Sequence, residues 1–160
     1  MQLQGIGGEA VNLRESAMTV RSILNEKGRD VVTLDPAATL AEAASLLGSR
    51  RIGAVVIAKA DRKIAGILSE RDIVRALGEH GAEALSLQVS KVMTVKVSTC
   101  RENHTVNEVM ELMTRGRFRH LPVERDGKLD GIISIGDVVK RRIEEVEREA
   151  DQIREYIATA

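Results

Sequence analysis

Apolar positions recur along the chain with two periods, and the periods alternate. In Thr39 to Leu47, the residues Leu40, Ala43, Ala44 and Leu47 fall at helical spacing behind a threonine, which predicts a capped helix. Val106, Val109, Met110 and Met113 repeat the pattern behind Thr105. Short β-branched runs, VVTL (Val31 to Leu34) and VKVST (Val95 to Thr99), precede these helices and are predicted as strands, with Asp35-Pro36 breaking the chain after the first. Behind each helix come two more strands, AVVIA and IAGIL in the first half, HLPVE and LDGII in the second. Asp126-Gly127, between the latter two, is a strong hairpin signal. A second helix follows, over Arg71 to Gly78 and again from Asp137 onward.

The predicted order is therefore β-α-β-β-α, twice. Residues confirm the duplication: GILSERDIV, Gly66 to Val74, returns as GIISIGDVV, Gly131 to Val139, with Ser134 and Asp137 where Ser69 and Asp72 stood. TLAEAASLLGSRRIGAVVI aligns with TVNEVMELMTRGRFRHLPV and pairs Glu42 with Glu108, Leu46 with Leu112 and Arg51 with Arg117. A unit of about 65 residues is repeated. Neither copy alone buries much surface, so the two are expected to pack together about a pseudo-two-fold axis. The S-x-x-D turn itself has two readings. A serine at the N-cap with an acid three residues on is a complete helix start. The second reading is that the turn also holds a ligand, which the motif alone leaves open.

The duplicated G-h-h-S-x-x-D-h turns (h, hydrophobic), the RIGAVVI and RHLPV strands and the VMT lead-in at Val92 to Thr94 resemble the tandem CBS-domain family, in which two such repeats form one Bateman module. The resemblance spans roughly Val20 to Ile143 and implies an α/β (α+β) fold of two pseudo-symmetric repeats plus an extended C-terminal helix. The expected bounds are an arm at 1–19, repeats at 20–80 and 91–142, a connector at 81–90 and a helix at 143–160. It also implies a stand-alone, non-catalytic regulatory protein of bacterial type that binds an adenine nucleotide in clefts between the repeats. AMP is the first expectation, with ADP, ATP or NAD as further candidates; an S-adenosylmethionine sensor and a pure interaction module with degenerate clefts are the alternatives.

By the family pattern each cleft joins the S-x-x-D turn of one repeat to strand residues of the other. One cleft is expected to bring Ser69, Arg71 and Asp72 opposite Ser98, Arg119, His120 and Leu121. The other pairs Ser134 and Asp137 with Thr33, Gly53, Ala54 and Val55. The first is rich in cations suited to phosphate; the second has Gly136 where the first has Arg71 and reads as poor in charge. His120 reads equally as a ligand contact or a satisfied structural histidine, and His80 and His104 read as solvated connector residues. With Phe118 and Tyr156 as the only aromatic residues, an adenine would rest between aliphatic side chains such as Ile52, Val55, Leu121 and Val97.

Composition narrows the partners. The 24 basic and 24 acidic residues balance, so no overall field draws the chain to nucleic acid or an anionic membrane, and neither is expected as a partner. The single cysteine, Cys100, excludes an intrachain disulfide and a multi-thiolate metal site, and fits a reducing, cytoplasmic compartment. No run of about 20 apolar residues predicts a membrane span. There is no P-loop, no dinucleotide fingerprint and no nucleophile–base pattern, so no catalytic cofactor or metal is expected. Residues before Met18 lack periodicity and are expected to be an arm or an artefact, with Met18 as a candidate natural start. At the other end Val139, Ile143, Val146, Ala150, Ile153 and Ile157 form a seam with alternating spacings of four and three, from which a homodimer interface is expected.

Overall fold

The computed structural model describes residues 18–159, so the expected arm at 1–17 and the question of a start at Met18 lie outside the described residues. The elements in order are α1 (Val20–Lys27), β1 (Thr33–Leu34), α2 (Leu40–Arg50), β2 (Ala54–Ala58), β3 (Ile64–Ser69) and α3 (Glu70–His80). Two 3₁₀ turns (Gly81–Ser86, Val89–Lys91) follow, then α4 (Val106–Gly116), β4 (His120–Arg125), β5 (Lys128–Ser134) and α5 (Ile135–Thr159). The helix starts have the expected chemistry. Thr39 and Glu42 form a reciprocal capping box on α2, and Thr105 Oγ1 accepts from the Glu108 amide on α4. Both helices end on an arginine in the left-handed region, Arg51 and Arg117, each at φ 53°. The aligned pair therefore shares its backbone state, an uncommon one for a residue with a side chain.

Contacts divide the described residues into two compact units: residues 30–99 with 122–131, and residues 18–29 with 100–121 and 132–159. In the first, β1, β2 and β3 form one sheet, with β1 parallel and β3 antiparallel to β2. Leu40, Ala43 and Leu47 of α2 and Ile73 and Ala76 of α3 close over Val55, Ile57 and Leu68 of that sheet. In the second unit α5 packs on α4 and α1. Val20, Ile23 and Leu24 of α1, Val106, Val109 and Met113 of α4 and Val138 of α5 are all buried. β4 and β5 pair as a two-stranded sheet through Asp126 and Gly127, at φ 52° and 77°. That sign at both residues is what a two-residue type I′ hairpin requires.

The units do not follow the repeats. α1, which leads into the first repeat, lies with the α4 and α5 of the second; Thr19 bridges Thr105, and the Val106 amide donates to Met18 O at 2.7 Å. Met93 and Thr94, which lead into the second repeat, lie against β3 of the first. Each S-x-x-D turn is thus approached by the lead-in of the other copy.

One expectation needs correction. VKVST forms no strand: the Val97 amide turns back to Val95 O at 3.0 Å, and Val95 is exposed. The stretch 81–90 is anchored to the first repeat: Ala84 and Val89 are fully buried, and the backbone of Leu87 and Val89 bonds to Leu40 and Ala38. The helix expected from Asp137 onward starts behind Ser134 and runs without a break to Thr159.

Candidate functional site

Each turn is built the same way by its own repeat. At the first, β3 runs out at Ser69, directly opposite Ala54 of β2, and the Glu70 amide donates to Gly53 O at 3.0 Å. At the second, the Ile135 amide donates to Arg119 O at 2.7 Å, with Arg119 standing where Gly53 stands in the first copy. A short backbone bond therefore fixes the entry to both helices.

The carboxylates sit at the third helical position and reach back. The Ser69 amide donates to Asp72 Oδ2 at 2.9 Å, the Ser69 hydroxyl to the same oxygen at 3.1 Å, and the Asp72 amide to Ser69 Oγ at 3.3 Å. At the second turn the Ser134 amide donates to Asp137 Oδ2 at 2.8 Å and the Asp137 amide to Ser134 Oγ at 3.2 Å. The helix-cap reading holds at both sites. In each, one carboxylate oxygen carries the cap and the other is turned elsewhere.

The surroundings differ. Asp72 is only 8% exposed, and its nearest cation, Arg75, stands 3.6 Å from Oδ1, too far for a hydrogen bond. Asp137 is less enclosed and is held by Lys27, whose Nζ lies 2.7 Å from Oδ2 and also donates to Ile132 O at 3.0 Å. Burial alone would raise the Asp137 pKa. The hydrogen bonds from Lys27 and the Ser134 amide, with the Lys27 charge, outweigh it and hold the carboxyl below its ordinary value.

Lys27 is the residue that sequence reasoning missed, and it changes the picture of a second turn poor in charge. It is the last residue of α1, and Gly28, at φ 96°, ends the helix there by bonding its amide back to Leu24 O. A basic last turn followed by glycine is an ordinary helix ending, so nothing local marked it. Among the described residues, no cation of the other lead-in bonds to Asp72. There Ile67 and Thr94 exchange both backbone hydrogen bonds, at 3.0 and 2.9 Å. Gly66 allows this approach: a Cβ would lie 2.6 Å from Met93 Sδ and 2.8 Å from Thr94 O.

The other expected site residues are distributed as follows. Thr33, Gly53, Ala54, Val55 and Ser98 share a unit with Ser69, Arg71 and Asp72. Thr33 pairs with Val56 on β1 and β2, while Arg71 and Ser98 are exposed. Arg119, His120 and Leu121 share the other unit with Ser134 and Asp137; Arg119 is exposed and His120 half-buried. Val55 and Leu121 are closed off, at 1% and 0% exposure, so neither presents surface in this structure, against the expectation that an adenine rests on their side chains. His104 is not a bare connector histidine, since its Nδ1 accepts from the Arg101 amide at 2.8 Å. Burial pushes the Cys100 thiol up to about 12, which leaves it protonated and inert at neutral pH. Among the described residues no group of acidic, histidine or cysteine side chains is arranged to hold a metal, and no helix is long and apolar enough to cross a membrane. A cavity of about 300 Å³ is lined by Met18, Thr19, Asn103, Thr105 and Asn107, none of them a residue of either turn.

Similarity to known proteins meets this geometry at the repeats. The model of the CBS domain matches twice, at residues 20–79 and 89–144. A mitochondrial CBS domain-containing protein of Arabidopsis thaliana is 32% identical over 149 residues, 87% of this chain and 71% of that protein. A crystal structure of a CBS-domain containing protein from Agrobacterium tumefaciens is 47% identical, with a TM-score of 0.75 over 89% of this chain and 98% of that one. A CBS domain protein from Pyrobaculum aerophilum, complexed with AMP, is 28% identical, with a TM-score of 0.67 over 75% of this chain and 89% of that one. The doubled turn, the helices and strands around it and these matches agree: the chain belongs to the CBS-domain family, as a tandem pair of CBS repeats followed by a C-terminal helix.

Proposed function

We propose that this chain is a non-catalytic regulatory module that binds an adenine nucleotide, AMP before ADP, ATP or NAD, at its S-x-x-D turns. The observation that carries the reading is the duplicated capping box. Each places a carboxylate with an oxygen to spare beside the open amides of a helix start, an arrangement able to take ribose hydroxyls and phosphate oxygens together. The AMP complex of the Pyrobaculum relative supports it. Following the family pattern, Ser69, Arg71 and Asp72 act with Ser98, Arg119, His120 and Leu121, and Ser134 and Asp137 with Thr33, Gly53, Ala54 and Val55. The domain bounds stay at 20–80 and 91–142. The site of action is a reducing, cytoplasmic compartment, in keeping with one buried, protonated thiol.

The working form is a homodimer joined through α5. Val139, Ile143, Val146, Ile153 and Ile157 are 42–68% exposed along one helix, and every described residue from 151 onward is exposed. Truncation after Arg148 should convert the dimer to monomer by mass in solution, and an unchanged dimer removes α5 as the interface.

The nucleotide reading is tested by calorimetry and thermal shift with AMP, ADP, ATP, NAD and S-adenosylmethionine. AMP should raise the melting temperature in proportion to the logarithm of its concentration, as a ligand of the native state must. Asp72→Ala and Asp137→Ala should each remove one class of site. A response to S-adenosylmethionine alone would reassign the ligand, and no response to any at millimolar concentration would leave an interaction module.

A further inference from the structure

We propose that Lys27 is a specificity-determining residue of the Asp137 turn, which makes that turn select a ligand carrying an anionic group beside its ribose and reject an uncharged nucleoside. The inference rests on the nucleotide reading above and extends it to a residue on α1, outside both turns.

The atoms set up the selection. A vicinal diol satisfies a carboxylate best by donating one hydroxyl to each oxygen. At Asp137, Oδ2 already accepts from the Ser134 amide at 2.8 Å and from Lys27 Nζ at 2.7 Å. The amide belongs to the helix cap and stays. Lys27 is the partner that can yield, because it ends a flexible side chain and is 35% exposed. Once displaced, its ammonium keeps Ile132 O at 3.0 Å but loses its counter-charge in a half-buried place. A phosphate attached to the same ribose restores that charge; a neutral nucleoside leaves it unpaired, which is costly away from bulk water. No such exchange arises at Asp72. Among the described residues its Oδ2 is capped by Ser69, and the cation paired with its carboxylate within 4 Å is Arg75, 68% exposed, which makes no hydrogen bond to it.

Calorimetry with AMP and with adenosine, on wild type, Lys27→Met, Lys27→Arg and Asp137→Asn, tests this. Asp137→Asn keeps the side-chain shape and identifies which binding phase belongs to this turn. Circular dichroism melts confirm that each variant folds, and Lys27→Arg retains the charge where Lys27→Met loses the contact. In wild type AMP should bind this turn at least tenfold more tightly than adenosine. Lys27→Met should shrink that ratio at least tenfold, through both tighter adenosine and weaker AMP, and Lys27→Arg should keep it within threefold of wild type. A ratio unmoved by Lys27→Met, with AMP still bound and still sensitive to Asp137→Asn, overturns the role of Lys27 and leaves the nucleotide reading standing. AMP bound only in a phase that Asp137→Asn does not touch also overturns it. Failure of AMP to bind wild type overturns both.

Discussion

The first S-x-x-D turn is fastened to its neighbouring lead-in by backbone, the second by one side chain. At Gly66-Ile67 the approaching Met93 and Thr94 make a paired backbone bridge across a glycine that leaves no room for a Cβ. At Ile132 and Asp137 the approaching α1 contributes the Lys27 ammonium. Two copies of one motif therefore present the same cap with different electrostatics. The first is a joint closed by backbone, and among the described residues its carboxylate accepts no hydrogen bond from a cation. The second is a joint that can exchange its partner, and duplication alone would not have produced that difference.

The largest test is on the side closed by backbone. Gly66→Ala should cost about 2–3 kcal/mol, because Met93 can move but Thr94 O, only 2.8 Å from the new Cβ, is backbone and can shift only by opening the bridge. Urea denaturation measures it. A loss below about 0.5 kcal/mol would show that the bridge adapts freely, and that the first turn is no more rigid than the second.

Next are the carboxylates. Asp72→Ala removes a capping box, an effect of about 1 kcal/mol. Asp137→Ala removes the same box and also strands Lys27, so about 2 kcal/mol is expected. Equal losses would mean that the ion pair contributes nothing to the fold and that the two turns are energetically alike.

The repeat and the caps were legible because they are local. Leu40, Ala43 and Leu47 recur at 3.6-residue spacing, and a serine or threonine followed three residues on by an acid marks each start. What failed was decided at longer range. VKVST has strand composition, yet Thr94 makes one isolated bridge and the chain then turns at Val97, so no ladder forms for it to join. Gly81 to Ser90 reads as a connector, and no local signal shows that Ala84 and Val89 within it fill the core beneath α2 and α3. Lys27 meets Asp137 across 110 residues, and no periodicity carries a contact of that kind.

Acid unfolding sharpens the same contrast at smaller amplitude. Asp137 is held below its ordinary pKa, so its ionised form contributes stability that is fully present above the unfolded value, about 4. That stability is lost as pH falls through the lower folded value. Lys27→Met should remove at most about 1 kcal/mol at pH 7, given the partial exposure of the pair, and less below about pH 4, where wild type has itself begun to lose it. Glu102 is also lowered, against its burial, by Arg21 and Arg29, but it titrates in both proteins and cancels from the difference. A stability difference that stays constant from neutral pH into the acid range would assign the Lys27 effect to packing and not to charge.

The smallest expected effect comes from making the second turn resemble the first. A Cβ at Gly136 would meet nothing closer than Ser134 Oγ at 3.6 Å, so Gly136→Arg fits without strain. Replacing glycine inside a helix is worth up to about 1 kcal/mol, and a cation in the first turn opposes the helix dipole by about 0.3–1 kcal/mol, so the net change should stay within about 0.5 kcal/mol. The new guanidinium stands where Arg71 stands in the first copy. If cations are what a phosphate needs here, Gly136→Arg should tighten AMP several-fold at the Asp137 turn and leave the Asp72 turn unchanged, as read by calorimetry. Unchanged AMP affinity alongside the expected stability would mean that Lys27 already supplies the charge the second turn can use, and that Gly136 is no deficiency.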